Sequence, residues 1–331
     1  MSSRAVALAF AISGLLTACG GADQPGPITP PAPAGISVVA RAYLDTVVKV
    51  MEQRSMQRKR IDWADFRLKV AAAAPRAQTI RDTYPAITAA LGLLSDGHSQ
   101  YRGIDGTFLF VPLRNCAAAT IANPTVPERI GYVRVGSFGG SGQDATNFAT
   151  DLQTIIRLAD SDDLHGWIVD LRGNGGGNMW PMIAGVGPIL SDGINGWFID
   201  PDSTVQAWSY SGGASRLGAQ VLVSVGTPYL LKQEAPRVAV LIDGRVASSG
   251  EATAIAFKGR PNTRFFGTPT CGLSTANAAF PMPDGALLIL TTAVMADRAR
   301  TAFGSEVLPD ESLSDPQATV ARAIDWLATG R

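Results

Sequence analysis

The chain has 331 residues, 46% hydrophobic and 17% charged, enough material for a large core in one domain or two. Twenty-eight basic residues balance 28 acidic ones, so nothing points to nucleic acid or an anionic membrane surface as a partner. The two histidines, His98 and His165, come without any Cys-x-x-Cys or His-x-x-x-His pair, so neither a metal site nor an organic cofactor is expected.

At the N-terminus Arg4 precedes an apolar run, Ala5 to Leu16, too short to span a bilayer as a lasting helix. The run ends in Leu16-Thr17-Ala18-Cys19-Gly20, which resembles the lipobox of bacterial lipoproteins. That resemblance implies a signal peptide over 1–18, cleavage before Cys19 and acylation of its thiol. The mature protein would then face the periplasm, held to the bacterial cell envelope by a lipid anchor; a plain secretory signal is the alternative. Residues 19–36 carry Pro25, Pro27, Pro30, Pro31 and Pro33 and read as an extended tether. The two remaining cysteines, Cys116 and Cys271, are an even pair in an exported chain, either a disulfide or two separately buried thiols.

Residues 37–103 read as a small helical subdomain. Val38, Val39, Ala42, Tyr43, Val47, Val48 and Met51 follow a helical stripe. A second helix starts at Asp62-Trp63-Ala64-Asp65 and runs to about Ala74, and a third covers Gln78 to Leu94. The pattern then changes over 104–331. Strands are expected at Phe108 to Val111, Ile130 to Val135, Trp167 to Leu171, Val221 to Val225, Val238 to Ile242 and Leu287 to Ala293. Helices are expected at Gln143 to Ala159, Met179 to Leu190, after Ser248, and at Pro316 to Ala328. Strands alternating with helices indicate an α/β layer structure.

Four segments stand out chemically. In Ala247-Ser248-Ser249-Gly250-Glu251 a serine sits where an apolar strand gives way to a helix-forming run. Such a serine is either an N-cap or a nucleophile on a rigid strand end, facing helical N–H groups suited to an oxyanion. In Ser95-Asp96-Gly97-His98-Ser99 a histidine follows a glycine turn, either as a surface residue or as a base presented to a cleft. Asp170-Leu171-Arg172-Gly173-Asn174-Gly175-Gly176-Gly177 is a strand end running into a turn whose N–H groups could cradle an anion. A dinucleotide fingerprint fails there, because position 178 is Asn and no Gly-Lys-Ser/Thr follows. The last segment, Gly267 to Asn277, is turn-rich and ends on small polar residues.

In this order, the four segments resemble the S41 family of serine peptidases, the carboxy-terminal processing and tricorn-core proteases, over roughly residues 37 to 325. The resemblance implies a crotonase-like (ClpP-like) α/β core with a helical N-terminal part. It carries the nucleophile to Ser248, three residues before Glu251, and oxyanion donors to Gly175, Gly176 and the Ser249 N–H. Two departures stand out. The 99–129 interval is too short for the PDZ domain of processing proteases. The lysine of their Ser–Lys dyad is replaced by Leu273, which cannot accept a proton. His98 then becomes the base, as in the tricorn branch, with Glu251, Glu306 or Asp310 as its acidic orienter. The expectation is an exported serine peptidase acting on peptide or protein; a non-catalytic peptide- or ligand-binding descendant and an esterase are the alternatives.

Overall fold

Two apolar runs set the centre of the molecule. Gly166–Asp170 and Val238–Ile242 are buried along their whole length, as expected of strands covered on both faces. The computed structural model describes residues 35–116, 121 and 123–331; the expected signal peptide, Cys19 and nearly all of the expected tether lie outside them.

Helix α1 (Val38–Arg54) starts at Ser37, whose Oγ accepts the Ala40 N–H, and buries Ala40, Tyr43, Leu44, Val47, Val48 and Met51. Helix α2 (Trp63–Ala72) is capped by the Asp62 carboxylate. The third helix, α3 (Tyr84–Leu94), begins later than the pattern suggests. The Asp82 carboxylate accepts the Gln78 and Thr79 N–H groups in a turn, and Pro85 then favours the helix start. Next come the short strands β1 (Gln100–Arg102) and β2 (Phe108–Phe110).

The α/β layer follows. Strand β3 (Ile130–Arg134), helix α4 (Gly142–Ala159), strand β4 (Gly166–Asp170) and helix α5 (Met179–Leu190) lead into an antiparallel meander. It consists of β5 (Gly193–Ile199), β6 (Val205–Ser211), β7 (Ala214–Leu217) and β8 (Gln220–Ser224). Then come β9 (Val238–Ile242), α6 (Ser249–Phe257), β10 (Thr263–Gly267), β11 (Thr275–Pro281) and β12 (Leu287–Ala296). The short β13 (Glu311–Ser312) and α7 (Pro316–Thr329) end the chain.

Two sheets result. A five-stranded parallel sheet has the order β13-β10-β9-β4-β3. Its period-2 alternation sends Val169, Val240 and Ile242 into one core with α4, α5 and α6, while Ile168, Ala239 and Leu241 meet α7 through Val320, Ala323, Trp326 and Leu327. An eight-stranded antiparallel sheet has the order β2-β1-β12-β5-β6-β7-β8, with β11 on the other side of β12. Helices α1 to α3 share a core with Tyr101 of β1 and with Leu288 and Leu290 of β12. There the Tyr43 hydroxyl lies 2.7 Å from that of Tyr101 and donates to Asp284 at 2.9 Å. The parallel sheet presents its carboxyl ends, where open α/β sheets place ligands, as the turns after β3, β4 and β9.

Candidate active site

Strand β9 leads into a turn that a hydrogen-bonded aspartate shapes. Asp243 Oδ1 accepts N–H groups from Arg245 at 3.0 Å and from Gly173 at 3.1 Å, tying this turn to the glycine-rich one. Ser248 then adopts φ 54° and ψ −117°, left-handed backbone in a residue with a Cβ. Such a conformation costs on the order of 1–3 kcal/mol and persists only where its surroundings fix it. Here they do. The Ser248 N–H donates to Glu251 Oε2 at 3.0 Å, while Glu251 Oε1 accepts from the Thr270 hydroxyl and from the Gly272 N–H at 2.7 Å. Glu251 is fully buried, and burial pushes its carboxyl up to about 7 against these stabilising donors. Helix α6 opens at Ser249, whose N–H is one of its orphan donors.

The glycine-rich turn lies directly behind the serine. Asn174 is its hub: its carbonyl accepts the Ala247 N–H at 3.0 Å, its Oδ1 the Gly176 N–H at 2.9 Å, and its Nδ2 donates to Val135 O at 3.1 Å. Close approach demands glycine at two places. A Cβ on Gly176, at φ +98°, would stand 2.7 Å from Ala247 O and 3.0 Å from Ser248 Cβ; one on Gly250 would stand 2.3 Å from Asn174 O. Ser249 Oγ donates to Gly177 O at 2.6 Å and closes the seam. Of the two glycines expected as oxyanion donors, Gly176 spends its N–H inside the turn. The Gly175 N–H instead meets Ser137 Oγ at 2.8 Å on an exposed edge.

His98 arrives from the second sheet. Ser95 ends α3 in left-handed backbone, and Asp96 Oδ1 accepts the His98 and Ser99 N–H groups at 2.9 and 2.8 Å. Asn277 Nδ2 donates to His98 O at 3.1 Å, and the imidazole Nδ1 lies 2.7 Å from Thr275 Oγ1. His98 is 8% exposed, and burial holds its pKa down to about 4 despite the opposing charge of Asp96.

His98, Ser248, Ser249, Gly175 and Leu273 all line one cavity of about 1230 Å³ between the two sheets. No hydrogen bond joins the His98 ring to Ser248. No lysine is among the lining residues; Lys258, at the far end of α6, donates to Leu308 O. The three carboxylates considered as orienters are engaged elsewhere. Glu251 holds the serine turn, Glu306 pairs with Arg114, and Asp310 Oδ2 accepts the Phe265 N–H at 2.7 Å. Among the described residues none of them hydrogen-bonds the imidazole. Cys116 and Cys271 are bonded to each other, with Cα atoms 5.2 Å apart, which fixes the loop that supplies Thr270, Gly272 and Leu273. No cluster of three or more metal-ligating side chains occurs among the described residues.

Sequence reasoning passed over Thr275, Asn277, Asn174 and Ser137 as individual functional residues. Thr275 and Asn277 did fall within the small polar end of the 267–277 passage, but nothing local pairs Thr275 with a histidine 177 positions away.

The model of peptidase family S41 matches residues 129–313, more than half of the chain, from the start of β3 to just past β13. The chain belongs to peptidase family S41. This S41 chain is 25% identical over 301 residues to a nisin-resistance protein of Lactococcus lactis subsp. lactis, covering 91% of this chain and 88% of that one. Its fold is shared with a lipoprotein from Streptococcus agalactiae at a TM-score of 0.70 and 21% identity, covering 89% of this chain and 98% of the other. A photosystem II D1 C-terminal processing protease follows at a TM-score of 0.58 and 15% identity, covering 88% and 98%. The S41 core here has no room for a PDZ domain, since only residues 103–129 separate β1 from β3.

Proposed function

We propose that the chain is an exported serine peptidase of the bacterial cell envelope, with a crotonase-like core over 104–331 and a helical subdomain over 37–103. Residues 1–18 are its signal peptide, and Cys19 carries a lipid that anchors it through the tether of 19–36. Relatives named as a nisin-resistance protein and as a lipoprotein support that location.

Ser248 Oγ attacks the carbonyl carbon of a peptide bond while the free ring nitrogen of His98 takes its proton. The developing oxyanion is held by the Ser249 N–H and by the Gly175 N–H, which the substrate oxygen reaches by displacing Ser137 Oγ. The imidazolium then returns its proton to the leaving amine. Water, deprotonated by the same ring, releases the acyl group from Ser248. The observation that carries this reading is the strained backbone of Ser248, facing the cavity that His98 also lines. Leu273 lines the same cavity at the position of the family's lysine, which leaves the histidine to act as base.

Turnover of peptide and ester libraries by the purified chain, with Ser248→Ala as control, tests the assignment. Peptide cleavage lost in the variant supports it. Ester cleavage alone makes the chain an esterase, and inertness on both makes it a binder. Mass spectrometry of the membrane fraction should find an acylated N-terminal Cys19; a soluble mature form starting elsewhere contradicts the anchor.

A further inference from the structure

We infer that Thr275 is the residue that orients His98, so that a neutral hydroxyl stands where a carboxylate would complete a triad. The inference rests on His98 being the general base. Thr275 is 7% exposed, and its Oγ1 is the partner of the imidazole Nδ1 at 2.7 Å. Its backbone is fixed on both sides: its N–H donates to Leu273 O at 2.7 Å, and it pairs with Val294 at the start of β11. Two residues on, Asn277 grips the His98 carbonyl, and its Oδ1 accepts from Thr291 Oγ1 at 3.1 Å. One strand therefore holds both the ring and the main chain of the histidine.

A hydroxyl suits this place because it accepts a hydrogen bond from Nδ1–H in the neutral and in the charged ring alike. Either way the second nitrogen of this cavity-lining ring stays without a protein hydrogen bond among the described residues. What a hydroxyl cannot do is stabilise the imidazolium by charge. The charged group that acts on the ring is Asp96 on its own loop; Arg54, Arg58, Arg102 and Asp200 line the same cavity, Asp200 paired with Arg58, and Glu251 lies behind Ser248. Burial outweighs the Asp96 charge, in keeping with a ring that is neutral through the whole neutral range. The consequence is a weaker base that is available at lower pH than one paired with an acid.

The test uses the intact chain and variants Thr275→Val, Thr275→Ser and Thr275→Asp. The 15N signals of its two imidazoles, His98 and His165, are followed against pH together with the rate of fluorophosphonate labelling. Thr275→Val should alter the Nδ1 signal of His98 and slow labelling by at least about tenfold. Thr275→Ser should keep both. Thr275→Asp should move the His98 titration, and the acid limb of labelling, upward by about one pH unit or more. If the wild type labels but Thr275→Val matches it in rate, pH limb and ring signal, the role of Thr275 is refuted. A wild type that does not label at all overturns the base assignment itself, and this inference with it.

Discussion

Glu251→Gln separates a residue that shapes the serine turn from one that orients the base. The change keeps the side chain's shape but removes its titration. In the wild type the buried carboxyl is raised from 4.5 to about 7. A carboxyl raised in this way contributes stability that is fully present below the unfolded value and is lost as pH rises through the folded one. Each pH unit in that window is worth about 1.4 kcal/mol, so the wild type should lose roughly 3 kcal/mol relative to the variant between pH 4 and pH 8. Superimposed on this is a cost constant in pH. The amide that Glu251→Gln introduces must turn an N–H toward one of three donors, the Ser248 N–H, the Thr270 hydroxyl or the Gly272 N–H, at about 1–3 kcal/mol. Urea unfolding followed by tryptophan fluorescence, run on both proteins at several pH values, reads the difference directly. Labelling should slow in the variant because the Ser248 turn loosens, while its acid limb stays where the wild type has it. A stability difference flat in pH, or one of opposite slope, refutes the reasoning about Glu251; a shifted acid limb restores it as the orienter of His98.

Gly176→Ala should abolish labelling, since its Cβ would press on Ala247 O and Ser248 Cβ; wild-type rates in that variant contradict the packing of the two turns. Cys116→Ser with Cys271→Ser opens a loop of 155 residues and should cost up to about 5 kcal/mol in urea unfolding. Unchanged stability removes the bond from the account. Ser249→Ala should cost only a few-fold in labelling rate, because the Ser249 N–H remains while the bond from its hydroxyl to Gly177 O is lost; complete loss assigns the nucleophile to Ser249 instead.

Strands β3, β4 and β9 of the parallel sheet were legible, the last two because Trp167 to Leu171 and Val238 to Ile242 are continuous apolar runs suited to burial on both faces; β10, which opens on Thr263-Arg264, and the two-residue β13 were not. Nor were strands β6 and β11. Val205-Gln206-Ala207-Trp208-Ser209-Tyr210 buries only Trp208 and Tyr210, and Thr275 to Pro281 is mostly small, with three alanines and no β-branched apolar residue, lying as it does beside the cavity. The site followed the same divide. Ser248 and His98, the proposed pair, each sit in a turn with local punctuation, so sequence could single them out as candidates. The partner of the imidazole could not be read that way, because a threonine carries no signal of what it will meet across two strands. Three acids, Glu251 beside the serine and Glu306 and Asp310 from the tail, drew attention in its place. Burial and three donors commit Glu251 to the turn, and such commitments are tertiary facts.

The central claim is that Ser248 is a nucleophile activated by His98. Intact-mass analysis after fluorophosphonate treatment, with peptide mapping of the adduct, addresses it most directly. The account requires one adduct, on Ser248, in the wild type and none in Ser248→Ala, with His98→Ala reduced to a similar extent because both act in one proton-transfer unit. An adduct on another residue, undiminished labelling in His98→Ala, or no adduct in the wild type would contradict it.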